Sequence, residues 1–159
     1  MRKIVRLQKA AFEAAAEVAS LTAGLSDIGA LVTFTGLCRD EAGSLAALEI
    51  EHYPGMAEAE IERVAEEACR RWPLEAVLVI HRHGVIRPRE PIVLVATAAK
   101  HREPAFAAAE FLMDYLKTAA PFWKKARRAD GRPGDWVAAR EEDEAAARKW
   151  EGPRKRGET

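Results

Sequence analysis

Helical and β-prone segments alternate through the middle of this chain. Two strongly β-prone segments, Ala76–His81 and Ile92–Ala98, consist largely of branched apolar residues. Apolar residues at three- and four-residue spacing predict an amphipathic helix on each side of this pair, over Met56–Trp72 and Glu103–Lys117. Pro73 ends the first helix, because proline lacks an N–H and cannot continue it. A chain with this alternation is expected to form mixed layers of helix and sheet.

Shorter segments predict the remaining elements. In chain order these are an edge strand over Lys3–Leu7, a helix over Ala11–Leu21, strands over Ala30–Leu37 and Leu45–Tyr53, a turn over Gly84–Pro91, paired strands over Phe122–Arg128 and Trp136–Ala138, and a helix over Glu141–Trp150. The predicted fold class is therefore α+β. Residues 1–150 are expected to form one domain, followed by a disordered tail over 151–159.

Composition excludes several classes of protein. The 25 basic and 25 acidic residues give a formal net charge of zero, which argues against a general nucleic-acid binder. The two cysteines, Cys38 and Cys69, form no CxxC motif and have no zinc-site spacing. No apolar run is long enough for a membrane span, and the N-terminus has no signal-peptide core. A soluble cytoplasmic protein is expected.

The segment between Lys117 and Lys124 carries the clearest sign of chemistry. Pro121 must interrupt the preceding helix, so Lys117 falls in its last turn and Lys124 on the extended segment that follows. A helix C-terminus favours an ammonium group, whereas a second cation nearby disfavours it. A lysine under both influences can be an anion clamp or a nucleophile and base. The alternative is a pair of solvated surface lysines.

Further cations lie at element ends. His101 and Arg102 precede the helix that contains Pro104 in its first turn, where free N–H groups can bind an anion. Arg39 follows a strand that ends near Gly36, and it is a third candidate for an anion contact. Each of these residues can equally be a surface charge at a turn.

Helix length limits how these cations can meet. A straight helix rises 1.5 Å per residue, so His101 and Arg102 lie roughly 20 Å from Lys117. One small ligand cannot touch both ends of that helix. If these residues share a pocket, a second copy of the chain must supply His101 and Arg102, as in a two-fold dimer.

Other candidate residues have a structural alternative. Cys38 is either a thiol of low pKa beside Arg39 or a small core residue. His81 and His83 are interpreted as structural, because no partner is spaced to complete a metal site. Three aromatic residues are expected in the core, namely Phe34, Phe122 and Trp123.

Many ordered segments between residues 28 and 150 resemble the large, catalytic subunits of molybdopterin synthase. The matching segments are Val32–Gly36 with Arg39, Leu48–Met56, Arg71–Leu74, Val79–Gly84, His101–Arg102, Phe111–Thr118, Pro121–Lys124, Trp136–Val137 and Arg140. The resemblance implies an α/β-hammerhead-like domain with an additional small antiparallel sheet. It also implies a homodimer at the centre of a 2:2 heterotetramer.

The resemblance further implies a reaction and a partner. A small ubiquitin-like carrier subunit would insert its thiocarboxylated Gly-Gly C-terminus and deliver two sulfurs to cyclic pyranopterin monophosphate, giving the dithiolene of molybdopterin. No metal and no redox cofactor is expected, nor is binding to nucleic acid or membrane.

Residue roles follow from the resemblance position by position. Lys117 and Lys124 match the essential lysines. The matching anion-pocket residues are Arg39, His101, Arg102 and Arg140, and the backbone beside Leu37, Cys38, Lys125 and Ala126 is expected to line the same site. Two alternatives stay open: persulfide transfer through Cys38, and a non-catalytic scaffold or RNA-binding module that uses Phe122–Arg128 and the basic tail.

Overall fold

The computed structural model describes residues 1–138 and 140–151. The elements in chain order are β1 (Arg2–Gln8), α1 (Ala14–Thr22), β2 (Ala30–Leu37), β3 (Leu45–His52), α2 (Met56–Arg71), β4 (Leu74–Arg82), β5 (Gly84–Ile86), β6 (Pro91–Ala99), α3 (Arg102–Thr118), β7 (Phe122–Arg128), β8 (Pro133–Val137) and α4 (Glu141–Arg148). Of the tail predicted over 151–159, all but the first residue lies outside the described part of the chain.

The first sheet is covered by helices on both faces. Its strand order is β1-β4-β6-β2, with β1 parallel to β4 and the other neighbours antiparallel. Alternate residues of β4 point to opposite faces, as strand geometry requires. Val77 and Val79 pack in the core formed with α2 and α3, whereas Leu78 and Ile80 pack with Leu21 of α1. Burial on both sides explains why β4 and β6 are continuous apolar segments.

The second sheet is smaller and wholly antiparallel. Its order is β5-β3-β7-β8, and its core contains Cys38, Leu45, Ile50 and Ile86. These two sheets and four helices confirm the predicted α+β fold with an additional small antiparallel sheet. The segment Gly84–Pro91, predicted to join β4 and β6 as a hairpin or a wider connection, is a wider connection between these antiparallel strands and begins with β5, which was not predicted. Three residues are too few to show a strand period, and β5 forms by pairing with the distant β3.

The end of α3 determines how the two sheets meet. Thr97 of β6 donates a hydrogen bond from its hydroxyl to the Ala105 carbonyl at 2.7 Å, which holds the start of α3 against the first sheet. At the other end, the Ala119 N–H donates to the Tyr115 carbonyl at 2.8 Å, and the Phe122 N–H then donates to the Ala120 carbonyl at 2.8 Å. The chain therefore turns at Pro121 and passes directly from α3 into β7.

None of the helices described here has the length and apolar character that crossing a membrane would require.

Candidate active site

An open cleft of about 660 Å³ lies where the end of β2, the strand β7, the C-terminus of α3 and the start of α4 meet. Seven of the residues predicted from the sequence line it: Leu37, Cys38, Arg39, Lys117, Lys124, Ala126 and Arg140. A narrower cavity of about 90 Å³ at its inner end is lined by both lysines together with Phe34, His81 and Met113. The two lysines predicted on either side of Pro121 thus converge on one site.

Strand alternation in β7 decides which side chains face the cleft. Successive residues of a strand point to opposite faces, so Phe122, Lys124 and Ala126 share the cleft side. Lys125 points to the other face, where its ammonium nitrogen lies 5.6 Å from the centre of the Trp136 ring. The Lys125 side chain therefore lies away from the described cleft, and contact between its backbone and the site stays a prediction.

The two lysines have different environments. Lys117 is exposed in the last turn of α3, so its ammonium is accessible from the open side of the cleft. Lys124 is half-buried beneath it. Burial lowers the pKa of Lys124, and the positive charge of Lys117 lowers it further, while Asp143 acts in the opposite direction. The inner lysine therefore loses its proton more readily than a lysine in water.

The mouth of the cleft carries both signs of charge, with cations in excess. Among the residues that the structure describes, four cationic side chains and two carboxylates line the cleft. Arg39 extends into solvent, and its guanidinium lies 4.0 Å from the Glu41 carboxylate. Arg140 caps the start of α4, and Asp143 lies one turn further along that helix. An anionic ligand can therefore be bound at the mouth by two arginines.

The backbone N–H and carbonyl of Cys38 are both hydrogen-bonded, and its thiol is buried. The Cys38 N–H donates to the Glu90 carbonyl at 2.9 Å, and the Arg89 N–H donates to the Cys38 carbonyl at 2.7 Å. The side chain is only 3% exposed. Burial raises the pKa of the Cys38 thiol, which is the opposite of the low-pKa alternative. The interpretation as a small core residue fits the structure better.

His101 and Arg102 lie at the far end of α3 from Lys117. The helix has 17 residues, so its ends are about 25 Å apart. Among the described residues, neither side chain lines the cleft of its own chain. Their place in a pocket shared with Lys117 stays a prediction that requires a second copy of the chain.

Three residues that line the cleft were not predicted as site residues from the sequence, namely Phe34, His81 and Asp143. Phe34, expected in the core, is 42% exposed and lines both parts of the cleft, and Trp123 is also exposed. Both core predictions are wrong. Phe34 is exposed because β2 is an edge strand, and Trp123 is exposed because it lies on the face of β7 opposite Phe122 and Lys124. His81, interpreted as structural, lines the inner cavity. Asp143 also lines the cleft, and its position three residues after Arg140 is the one sequence signal for it, since residues at this spacing share a face of a helix.

Comparison with known proteins gives consistent results. The family model described as MoaE protein matches residues 7–119. The molybdopterin synthase catalytic subunit of Mesorhizobium japonicum is 63% identical over 146 residues, which cover 92% of each chain.

Solved structures have the same fold. The molybdopterin biosynthesis MoaE protein from Burkholderia ambifaria superposes with a TM-score of 0.80 at 50% identity, covering 96% of this chain and all of that one. Molybdopterin synthase from Staphylococcus aureus superposes with a TM-score of 0.74 at 28% identity, covering 83% of this chain and 95% of that one. From its sequence and its fold, this chain belongs to the MoaE family of molybdopterin synthase catalytic subunits.

Proposed function

We propose that this chain is the catalytic subunit of a molybdopterin synthase and acts as a sulfurtransferase. It moves sulfur from the thiocarboxylated C-terminus of a small ubiquitin-like carrier subunit onto cyclic pyranopterin monophosphate. The observation that carries this proposal is the convergence of Lys117 and Lys124 in one cationic cleft.

The shape of the cleft suits two anionic reactants. A narrow inner cavity opens into a wider mouth, so an extended tail can reach the lysines while a ring compound occupies the mouth. The thiocarboxylate and the cyclic phosphate are both negatively charged. Arg39 and Arg140 provide guanidinium groups, which bind phosphate oxygens well.

Each sulfur transfer exchanges bonds without a net redox change. The thiocarboxylate sulfur forms a bond to a carbon of the substrate as the C–O bond at that carbon breaks, and the oxygen either takes up a proton and leaves as water or stays on the phosphate. Water then attacks the acyl carbon and breaks its bond to sulfur, so the electron pair stays on sulfur and the carrier leaves as a carboxylate. Negative charge that develops on the acyl oxygen is stabilised by cations in a partly desolvated site.

The two lysines are assigned different roles. Lys117 is exposed where an incoming tail would arrive, so it orients the thiocarboxylate, transfers protons or reacts transiently at the acyl carbon. Lys124 lies deeper, and its lowered pKa suits a group that holds substrate and gives up a proton more readily than a lysine in water. His101 and Arg102 of a second copy are expected to complete the phosphate site.

Reconstitution tests this proposal. The protein is mixed with a thiocarboxylated carrier and cyclic pyranopterin monophosphate, and the dithiolene product is followed by mass spectrometry. The expected result is product with the wild-type chain and none with Lys117→Ala, with the oligomeric state unchanged. Lys3→Ala is a matched control, because Lys3 forms ion pairs with Glu62 and Glu66 of α2 and is expected to leave turnover unchanged. Full activity of Lys117→Ala would contradict the proposal.

A further inference from the structure

Arg82 is a buried charged residue at the C-terminal end of β4. It is 5% exposed, and it does not line the described cleft. Its Nε donates a hydrogen bond to the Lys9 carbonyl at 3.1 Å, and its Nη1 donates to the Pro91 carbonyl at 3.0 Å and to the Glu90 carboxylate at 3.1 Å. A buried guanidinium needs such partners, because it has lost its hydration. Arg82 therefore joins the end of β4 to the segment after β1 and to the start of β6.

The Glu90 carboxylate also closes the turn over residues 87–90, directly before β6. Its Oε2, the oxygen that pairs with Arg82, accepts a second hydrogen bond from the Arg87 N–H at 3.2 Å. Within this turn Arg89 has a φ of 74°, in the left-handed region that residues with a Cβ rarely adopt. Such a conformation persists only where surrounding contacts hold it. The ion pair is therefore one of the contacts that keep this turn in place.

Two backbone hydrogen bonds join this turn to the mouth of the cleft. The Glu90 carbonyl accepts from the Cys38 N–H, and the Arg89 N–H donates to the Cys38 carbonyl. Arg39 follows Cys38 directly, so the peptide that these bonds hold determines where the Arg39 side chain leaves the backbone. That side chain is 74% exposed, and little packing restrains it. The direction of Arg39 therefore depends mainly on the backbone that the turn holds.

Arg82 also supports the strand that leads to Cys38. The Pro91 carbonyl accepts from Arg82, and Pro91 is the register partner of Leu37 in β2. The pairing is irregular between Gly36 and Leu37, and an irregularity of this kind bends a strand and changes the direction of its side chains. One guanidinium thus holds both the turn and the residue against which the end of β2 is paired.

We propose that the Arg82–Glu90 ion pair is a positioning element for Arg39, which it directs toward an anionic ligand at the mouth of the cleft. The effect on the ligand rests on the proposed function, whereas the restraint on the backbone of Cys38 does not. Loss of the pair frees the turn, so both hydrogen bonds to Cys38 weaken. Arg39 then spends less time in the direction that meets a phosphate group.

Two substitutions of Glu90 remove the carboxylate while they leave the backbone carbonyl in place. Glu90→Ala leaves no side-chain acceptor for Arg82 or the Arg87 N–H, whereas Glu90→Gln retains an acceptor oxygen. The Glu90 side chain is 36% exposed, so both variants are expected to fold even where a substitution of the buried Arg82 does not. Glu60→Ala is the matched control, because it removes an ion pair with Arg63 on α2 and lies outside the described cleft.

The first readout is the mobility of the backbone, and it needs no substrate. We expect Glu90→Ala to lower the ¹⁵N order parameters of Cys38 and Arg89 from about 0.85, the value of a rigid backbone, to below about 0.6. Glu90→Gln and Glu60→Ala should keep the wild-type values, and Val95, which is buried in the first sheet, should keep its value in every variant. A merely structural ion pair would affect stability and leave these order parameters unchanged. That result in folded Glu90→Ala would overturn the inference.

The second readout separates binding from turnover. We expect Glu90→Ala to raise KM for cyclic pyranopterin monophosphate about tenfold, with kcat within about twofold of the wild type. The physical reason is that the pair orients a phosphate-binding group and touches no reacting atom. Glu90→Gln should restore most of the affinity. An unchanged KM in folded Glu90→Ala would contradict the proposed positioning of Arg39.

A double-mutant cycle shows whether the pair acts through Arg39. In the Arg39→Ala chain, Glu90→Ala should raise KM by no more than about twofold further, because the group that it positions is already absent. Full additivity of the two effects would mean that the pair acts by another route, and the inference would then fail. If the wild-type chain forms no product, the proposed function fails, and the order parameters still decide whether the ion pair restrains the backbone that carries Arg39.

Discussion

Two ionisable side chains lie at the inner end of the cleft, where His81 is buried and Lys124 is half-buried. Burial disfavours the charged form of both groups, and each is cationic when protonated, so both pKa values are lowered. Lys117 lies on the other side of the turn at Pro121 and is exposed. At the residue scale, the site therefore combines the accessible ammonium of Lys117, the half-buried amine of Lys124 and the neutral imidazole of His81.

Acid should destabilise the fold through His81. Its pKa is 6.5 as a reference value and about 4 in the folded chain, so the unfolded state binds more protons between these values. The contribution of His81 to the free energy of unfolding is therefore fully present above pH 6.5. It is lost as the pH falls toward 4, which lowers the free energy of unfolding by about 3 kcal/mol. Denaturant unfolding of the wild type and His81→Phe at pH 7 and pH 4 measures this contribution.

The phenylalanine variant should lose less stability over that interval than the wild type. His101→Phe serves as a control, because His101 is exposed, and it should keep the wild-type pH dependence. Equal losses in the wild type and His81→Phe would contradict the assignment of this acid sensitivity to His81.

At the scale of elements, α4 is a short helix with no buried residue of its own. The residue that anchors it lies just beyond its end. Trp150 donates a hydrogen bond from Nε1 to the Asp114 carboxylate at 2.7 Å, and its ring packs edge-on against Trp72 and Phe111 at 5.7 and 5.5 Å. Because α4 also begins at Arg140, this anchor on α3 positions one wall of the cleft.

Removal of the anchor should therefore affect both stability and ligand binding. We expect Trp150→Ala to reduce the free energy of unfolding by about 2 kcal/mol, less than for a fully buried tryptophan. We also expect it to weaken binding of cyclic pyranopterin monophosphate about tenfold, since Arg140 loses its position. Calorimetric titration and chemical unfolding measure the two effects.

Trp150→Phe is the matched variant. It keeps an aromatic ring but loses the hydrogen bond to Asp114 and part of the packing against Trp72 and Phe111, so the expected cost is about 1 kcal/mol with a small effect on binding. Unchanged affinity in folded Trp150→Ala would show that α4 does not depend on this contact.

At the scale of the whole molecule, the site of one chain is predicted to be incomplete. Lys117 and Arg102 lie at opposite ends of α3, and no bend of a single helix can bring both to one phosphate. If both contribute to turnover, each pocket contains residues from two copies, and a two-fold dimer holds two such pockets.

Complementation between inactive variants tests this arrangement. We expect Lys117→Ala and Arg102→Ala to be inactive alone, and an equal mixture after subunit exchange to recover about a quarter of wild-type activity. Half of the dimers are then mixed, and each mixed dimer has one of its two pockets intact. The rate of sulfur transfer in the mixture, divided by that of the wild type at equal concentration, gives the fraction of pockets that are intact.

No recovery in a mixture shown to contain mixed dimers would mean that both residues act within one chain or that one of them is dispensable. An active Arg102→Ala variant on its own would remove Arg102 from the predicted pocket.

Much of the local structure could be predicted from the sequence. The helices α2 and α3 and the strands β2 and β7 were expected close to their observed bounds, because hydrophobic period and proline act over a few residues. Residues with non-local roles were not predictable in this way. The strand β5 depends on pairing with β3, and Phe34 is uncovered because β2 lies at the edge of its sheet.

The sequence by itself determined that Lys117 ends a helix, that Lys124 follows in a strand and that Pro121 separates them. It also determined that Phe122, Lys124 and Ala126 share a face, since strand side chains alternate. Only the tertiary structure decided that this face is the inner one, that Lys124 is half-buried while Lys117 is exposed, and that His81 lines the same cavity. The physical reason is that burial depends on which distant segments pack together, such as Ile50 of β3 against Lys124 of β7, and local periodicity carries no information about that pairing.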